Sequence, residues 1–179
     1  MNLPNKITVF RMAMIPAFVA VMLTDLVPYN NYIAGVIFII AALSDMADGI
    51  LARKYNLVTN FGKFMDPLAD KLLVQAALVC FVANGLLPAW IVIVILSREF
   101  IISGFRLVAA DNGVVIAAGY WGKLKTVFQM AMSIGLIFHF EFEIWRILEQ
   151  VCIWAALLLT IISLVDYIVK NKSILKDCK

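Results

Sequence analysis

Apolar residues fill most of the chain in six long runs separated by short polar breaks. The runs cover residues 8–24, 31–52, 67–84, 88–107, 124–141 and 147–169. Each run is close to the roughly 20 residues that a helix needs to cross a hydrocarbon core. Helix is required there because lipid offers no hydrogen-bond partner to an exposed backbone amide or carbonyl. The pattern predicts an all-α polytopic membrane protein built as a bundle of six transmembrane helices.

The breaks and the composition support this interpretation. Val27-Pro28-Tyr29-Asn30-Asn31 and Asn84-Gly85 carry residues typical of turns. Of the 179 residues, 64% are hydrophobic and 15% are charged, whereas about a quarter of the residues in soluble domains are charged. No polar stretch is long enough for a separate soluble domain. We therefore expect a single integral membrane domain over residues 1–179.

The basic residues predict the orientation of the bundle. Six spans place both termini on one side, and 14 of the 15 Lys and Arg residues fall on that side, with Arg146 alone on the other. Basic residues in short loops are retained in the cytoplasm. Both termini should therefore be cytoplasmic in a bacterial inner or plasma membrane. Membrane lipids are expected partners, and nucleic acid is not.

Four carboxylates interrupt the apolar pattern where the second run ends and the third begins. Asp45 and Asp48 are three residues apart, and Asp66 and Asp70 are four apart, so each pair shares one helix face. An aspartate at the membrane centre costs about 2.5–3.5 kcal/mol on insertion scales, and such residues are usually paired or face a cavity. The sequence predicts a four-carboxylate cage in a cytoplasm-facing active-site cavity.

Carboxylates gathered in this way repel one another unless protons or a cation lie between them. An all-oxygen site favours Mg²⁺, Mn²⁺ or Ca²⁺ over zinc, and the single histidine, His139, lies far from the cluster in sequence. Asp66 precedes Pro67, a pair that suits the first turn of a helix. We therefore expect a hard divalent metal at this site.

The residues between the aspartates allow a phosphorylated ligand to approach. Gly49 and Gly62 lack side chains, Arg53 offers a fork that matches phosphate oxygens, and Thr59 and Lys63 add a hydroxyl and a cation. The alternative is that the glycines aid helix packing and that Arg53 marks the membrane boundary.

Residues 45–70 fit the pattern D-x2-D-G-x2-A-R-x8-G-x3-D-x3-D at every fixed position and so resemble the CDP-alcohol phosphotransferase family. The resemblance implies two Mg²⁺ or Mn²⁺ ions and a homodimer. It implies that Asp45, Asp48 and Asp66 are metal ligands and that Asp70 is both a ligand and the general base. Residues implied to contact the CDP group are Gly49, Arg53 and Thr59.

A second group of cations lies in the stretch 97–130. Arg98, Arg106, Lys123 and Lys125 are on the predicted cytoplasmic side, where they suit a phosphorylated acceptor or simply satisfy the positive-inside rule. Three elements, Ser-Arg-Glu, Gly-Phe-Arg and Gly-Lys-x-Lys-Thr, resemble the branch of the family that acts on glycerol 3-phosphate. The opening Pro-Asn-x-x-Thr-x-x-Arg, which adds Asn5 and Thr8 as candidate binding residues, resembles it too.

The resemblance implies that the phosphatidyl group of CDP-diacylglycerol is transferred to glycerol 3-phosphate, giving phosphatidylglycerophosphate and CMP. Inositol phosphate, phosphatidylglycerol and serine are alternative acceptors, although serine has no phosphate for the basic residues to bind. Buried acids also occur in ion and proton transporters, but here they gather toward one face and form no path across the membrane. An inactive scaffold is disfavoured by the complete set of aspartates.

Overall fold

The computed structural model describes residues 3–24, 28–54, 60–111, 116 and 119–171, and within these the chain is entirely helical. Side chains of residues 3–6, 45–54, 60–68, 70 and 111 lie outside this description. The six helices of the described part are α1 (Leu3–Leu23), α2 (Asn30–Lys54), α3 (Asn60–Ala83), α4 (Ala89–Asp111), α5 (Tyr120–Phe138) and α6 (Glu143–Lys170). Each of the six predicted apolar runs coincides with one helix, so the predicted all-α class is confirmed.

Five of the six helices begin earlier than the apolar runs indicate, and two of these, α3 and α5, carry candidate site residues in the added part. The third run begins at residue 67 but α3 begins at Asn60, which makes the expected first-turn position of Asp66 wrong. The fifth run begins at residue 124, whereas α5 begins at Tyr120 and so includes Lys123. Each added first turn contains a glycine and a lysine, Gly62 and Lys63 in α3 and Gly122 and Lys123 in α5, and these residues lower the local hydropathy.

The membrane crossing is supported by one helix in the described residues. The 28-residue α6 is long and apolar enough to span a bilayer. Shorter apolar helical stretches cover Ile7–Leu23, Asn30–Ser44 and Lys71–Ala83. The count of six spans stays a prediction.

The chain divides into two compact units. Unit 1 consists of Met1–Leu86 together with Leu136–His139, and unit 2 consists of Leu87–Gly135 and Phe140–Lys179. The prediction of a single domain over residues 1–179 stays a prediction.

In unit 1, α1 packs against both α2 and α3, and α2 also contacts α3. Phe18 of α1 and Phe38 of α2 are fully buried, with ring centroids 5.7 Å apart. The Asn84 side-chain amide, just past α3, donates a 3.1 Å hydrogen bond to the Met22 carbonyl at the end of α1. These contacts hold α1 against the two helices that carry the aspartates.

In unit 2, α4 and α6 run parallel to each other. Three pairs follow in the same order along both helices: the Trp90 and Trp154 rings lie 6.3 Å apart, Arg98 bonds Ser163 at 3.1 Å, and the Phe105 and Tyr167 rings lie 6.1 Å apart. The two helices therefore present their last turns at the same end of unit 2.

Helix α5 runs in the opposite direction to α4 and α6. A Cβ placed on Gly122, in its first turn, would lie 3.3 Å from an Arg98 side-chain nitrogen, and Gly135 near its other end accepts a 3.4 Å hydrogen bond from the Trp145 indole at the start of α6. The first turn of α5 therefore lies beside Arg98, near the middle of α4. The residue just before α5, Gly119, lies close to the C-terminal part of α6, because a Cβ placed on it would be 3.6 Å from Asp166 Oδ2. This end of unit 2 carries all four of the predicted acceptor cations.

Candidate functional site

The aspartate motif occupies two consecutive helices of unit 1. The last third of α2 contains Asp45, Asp48, Gly49 and Arg53, and the first half of α3 contains Asp66 and Asp70. Both aspartate pairs keep helical spacing, so the backbone is consistent with each pair sharing a face. The predicted cage itself depends on side chains outside the described set, as does the role of Asn5 in α1. Thr59 also lies outside the described residues.

Helix α1 adds buried polar side chains to the same unit. Thr8 and Arg11 are three residues apart, and both have 0% of their surface exposed. Because α1 contacts both α2 and α3, this polar face belongs to the part of the fold that carries the aspartates. Burying a guanidinium costs on the order of several kcal/mol. Only nearby negative charge and hydrogen bonds offset that cost. Arg11 therefore fits a site rich in carboxylates or phosphate.

In unit 2, one carboxylate joins two of the predicted cations. Glu99 Oε1 accepts hydrogen bonds from Arg98 Nη1 at 2.9 Å and from Lys125 Nζ at 2.5 Å. Lys125 is only 2% exposed, and burying an ammonium group costs several kcal/mol unless an opposite charge lies beside it. Glu99 supplies that charge and links α4 to α5.

The same group extends to α6. Arg98 Nε donates a 3.1 Å hydrogen bond to the Ser163 hydroxyl, which in turn donates to the Thr160 carbonyl at 3.0 Å. Arg98 thus has two of its nitrogens fixed, one by α4 and one by α6. We call Arg98, Glu99, Lys125 and Ser163 the charge network.

Two turns further along α4, Arg106 lies against α6 in a different environment. Its guanidinium carbon is 6.0 Å from the centroid of the Tyr167 ring, and the side chain is half-buried. Arg106 forms no ion pair within the described residues. Its Nε and the Tyr167 hydroxyl oxygen are both buried, and neither makes a hydrogen bond in that part of the chain.

The charge balance at this end of unit 2 favours an anion. Arg98, Arg106 and Lys125 carry three positive charges, and Glu99 offsets one of them. The fourth predicted cation, Lys123, is exposed one turn into α5. Of the four, the structure joins Arg98 and Lys125 through Glu99, whereas Arg106 and Lys123 lie outside the charge network.

Several candidate residues were not selected from the sequence. Glu99 and Arg11 lie within motifs quoted above but were not assigned a role, and Tyr167 reads as one more aromatic residue of an apolar helix. A signal for Glu99 was available, because it is an acidic residue directly beside Arg98. The signal for Tyr167 is fainter: it follows Ser163 by four residues, so both lie on the face that packs on α4.

The region that the structure describes holds no group of three or more His, Cys, Asp and Glu side chains able to hold a metal ion. The side chains of the four motif aspartates are not among the described ones. Their chemistry, four carboxylates with no nearby Cys or His in sequence, suits Mg²⁺ or Mn²⁺.

Comparison with known proteins identifies the family. The CDP-alcohol phosphatidyltransferase family pattern matches residues 1–162. The chain is 46% identical to the CDP-diacylglycerol–glycerol-3-phosphate 3-phosphatidyltransferase of Bacillus subtilis, over 98% of this chain and 97% of that protein. It is 38% identical to the protein of the same name from Haemophilus influenzae, over 98% and 96% of the two chains.

A third relative is the probable phosphatidylglycerophosphate synthase of Mycobacterium tuberculosis, which is 38% identical over 94% of this chain and 81% of that protein. The resemblance seen in the aspartate motif is therefore confirmed along nearly the whole sequence. The chain belongs to the CDP-alcohol phosphatidyltransferase family.

Proposed function

We propose that this protein transfers the phosphatidyl group of CDP-diacylglycerol to glycerol 3-phosphate, releasing CMP and phosphatidylglycerophosphate. The names of the relatives describe this reaction. The observation in the structure that carries the choice of acceptor is a group of three buried or half-buried cations in unit 2. Arg98 and Lys125 share one carboxylate, Glu99, and the next carboxylate along α6, Asp166, is paired with Lys170. A phosphorylated alcohol supplies the missing negative charge, whereas serine does not.

Asp45, Asp48, Asp66 and Asp70 are the proposed ligands of two Mg²⁺ or Mn²⁺ ions. When bound, such ions neutralise charge on a diphosphate and on the departing phosphate group. Gly49 leaves room for the nucleotide diphosphate, Arg53 pairs with its oxygens, and Thr59 adds a hydroxyl. Arg11, buried in the helix that packs on α2 and α3, is a further source of positive charge for this diphosphate.

The proposed reaction is a direct displacement at phosphorus. Asp70 accepts the proton of the acceptor hydroxyl, the hydroxyl oxygen bonds to the phosphatidyl phosphorus, and the bond from that phosphorus to CMP breaks. No protein nucleophile takes part. One phosphodiester forms for each CMP released, and the electron pair of the broken bond leaves with CMP.

Binding the acceptor requires cations other than those that serve the nucleotide. Arg98, Arg106, Lys123 and Lys125 of unit 2 are the proposed contacts for the acceptor phosphate. Asn5 and Thr8 of unit 1 are proposed separately as substrate-binding residues. Inositol phosphate has the same charged group and is the main alternative acceptor. The names of the relatives favour glycerol 3-phosphate.

The proposed reaction is tested by measuring CMP release from purified protein in detergent with CDP-diacylglycerol. We expect release that requires both glycerol 3-phosphate and Mg²⁺ or Mn²⁺, and that stops when EDTA removes the metal. Ion or proton flux in sealed vesicles without CMP release would instead indicate a transporter.

We also propose that six spans cross the cytoplasmic membrane with both termini inside, and that the protein is a homodimer. The 14-to-1 division of basic residues supports the orientation.

In a variant lacking the native Cys80, Cys152 and Cys178, a cysteine at Asn60 should react with an impermeant thiol reagent only from the cytoplasmic side. A cysteine at Asn30 should react only from outside. Labelling of both positions from one side would contradict this topology.

A further inference from the structure

Two buried polar groups lie at the α4–α6 interface, Arg106 Nε and the Tyr167 hydroxyl. The proposed mechanism gives no role to the hydroxyl. Tyr167 is 7% exposed, yet its hydroxyl oxygen makes no hydrogen bond within the described residues. The same holds for Arg106 Nε, and the Arg106 guanidinium carbon lies 6.0 Å from the Tyr167 ring centroid. Two hydrogen-bonding groups that lack partners therefore lie in one small region.

Packing alone does not account for the hydroxyl. The Tyr167 ring is already held edge-on by the Phe105 ring, with centroids 6.1 Å apart, and phenylalanine would make the same contact. A buried polar atom without a partner destabilises a fold, which is why nearly all such atoms in proteins are satisfied. A hydroxyl kept at this position is therefore expected to meet a partner that binds from outside the chain.

The surroundings indicate the charge of that partner. Arg106 Nε can only donate, and the tyrosine hydroxyl donates readily. Ser163, one turn earlier on α6, is already bonded to Arg98, and the only carboxylate of the charge network is already shared by Arg98 and Lys125. Two available donors beside an excess of positive charge suit an oxyanion.

We propose that the Tyr167 hydroxyl and the Arg106 guanidinium together bind the phosphate of the acceptor, with Tyr167 as its uncharged donor. The inference rests on the proposed function, because it takes the acceptor to be a phosphorylated alcohol. Arg106 is half-buried, which leaves part of its side chain accessible to a ligand. The charge network holds Arg98 and Lys125 in place, and Arg106 with Tyr167 supplies two donors that no described protein group occupies.

The test is Tyr167→Phe, which removes one oxygen and keeps the ring. The KM for glycerol 3-phosphate should rise roughly ten- to a hundredfold, as expected for losing a hydrogen bond to a charged group. The KM for CDP-diacylglycerol should change by less than about twofold, because only the acceptor loses a contact. The melting temperature should stay the same or rise, since a buried unsatisfied hydroxyl is gone. Tyr29→Phe, at an exposed tyrosine of unit 1, is the matched control and should leave every value unchanged.

Binding measurements separate this inference from the proposed function. Glycerol 3-phosphate alone, and inorganic phosphate as a simpler probe, should raise the melting temperature of the wild-type protein and raise that of the Tyr167→Phe protein much less. If this difference is seen but the wild-type protein makes no phosphatidylglycerophosphate, the oxyanion site stands and the proposed function fails. If wild type and variant have equal KM values for glycerol 3-phosphate, the hydroxyl meets only water and the inference is overturned. Equal loss of affinity for both substrates would overturn it too.

Discussion

Replacing Asp70 by asparagine should lower turnover at least a hundredfold, on the order of what a positioned general base contributes, while binding of CDP-diacylglycerol is largely kept. Asparagine has nearly the size of aspartate and one oxygen that can still bind a metal, but it cannot accept the proton of the acceptor hydroxyl at neutral pH. Turnover is followed as CMP release, and binding as the change in melting temperature caused by CDP-diacylglycerol.

Two comparisons make this prediction specific. Asp166→Asn removes a carboxylate that pairs with Lys170 near the end of α6 and should leave turnover close to the wild-type value. Asp45→Ala and Asp66→Ala should be inactive at any metal concentration, because both residues are proposed to hold metal directly. Near-normal turnover of Asp70→Asn would remove Asp70 from the role of base. If high Mn²⁺ restores the turnover of Asp45→Ala, Asp45 does not bind the metal directly.

Replacing Arg106 by alanine should reduce kcat/KM for glycerol 3-phosphate roughly ten- to a hundredfold, which corresponds to about 1.5–3 kcal/mol for one charge-assisted contact. Arg106 is the half-buried cation of unit 2 that has no ion pair among the described residues, so its charge is available to a ligand. The KM for CDP-diacylglycerol should change much less. Steady-state kinetics with each substrate varied in turn measure both effects.

The matched control for this variant is Lys170→Ala. Lys170 is also basic and lies near the same end of unit 2, but it is largely exposed and pairs with Asp166 at 2.8 Å, and exposed pairs contribute at most about 1 kcal/mol. Its loss should leave the kinetics unchanged. If Arg106→Ala inserts poorly but has normal kinetics once purified, the residue serves only to orient α4. Equal loss for both substrates would mean that the acceptor phosphate binds elsewhere.

The helices could be predicted from hydropathy because a membrane imposes one conformation on any apolar run of the right length. The residues at which the helices begin could not be predicted in this way. The extra turns of α3 before Asp66 and of α5 before Lys125 mix aromatic residues with glycine and lysine, so a continuous apolar run does not mark where these helices begin. Hydropathy also does not reveal which helices pack together, and the parallel pairing of α4 with α6 came only from the structure.

The two parts of the site differ in how far the sequence predicts them. The aspartates belong to one short motif, so their number and spacing are visible in the letters alone. The proposed acceptor cations are scattered over 28 residues, from Arg98 to Lys125, and a positive-inside topology would produce similar charges. What distinguishes Lys125 from Lys123 is burial beside Glu99, which depends on contact between two helices. Tyr167 was missed for the same reason, because only the structure shows that its hydroxyl is buried without a hydrogen-bond partner among the described residues.

The most direct test of the central claim is to identify the lipid made by the purified protein from CDP-diacylglycerol and an equimolar mixture of candidate acceptors. The mixture would contain glycerol 3-phosphate, inositol phosphate, serine and phosphatidylglycerol, with Mg²⁺ or Mn²⁺ present, and mass spectrometry would identify the product. We expect phosphatidylglycerophosphate, formed in a one-to-one ratio with CMP and absent when EDTA is added. Phosphatidylinositol phosphate, phosphatidylserine or cardiolipin as the main product, or no CMP release at all, would contradict the account.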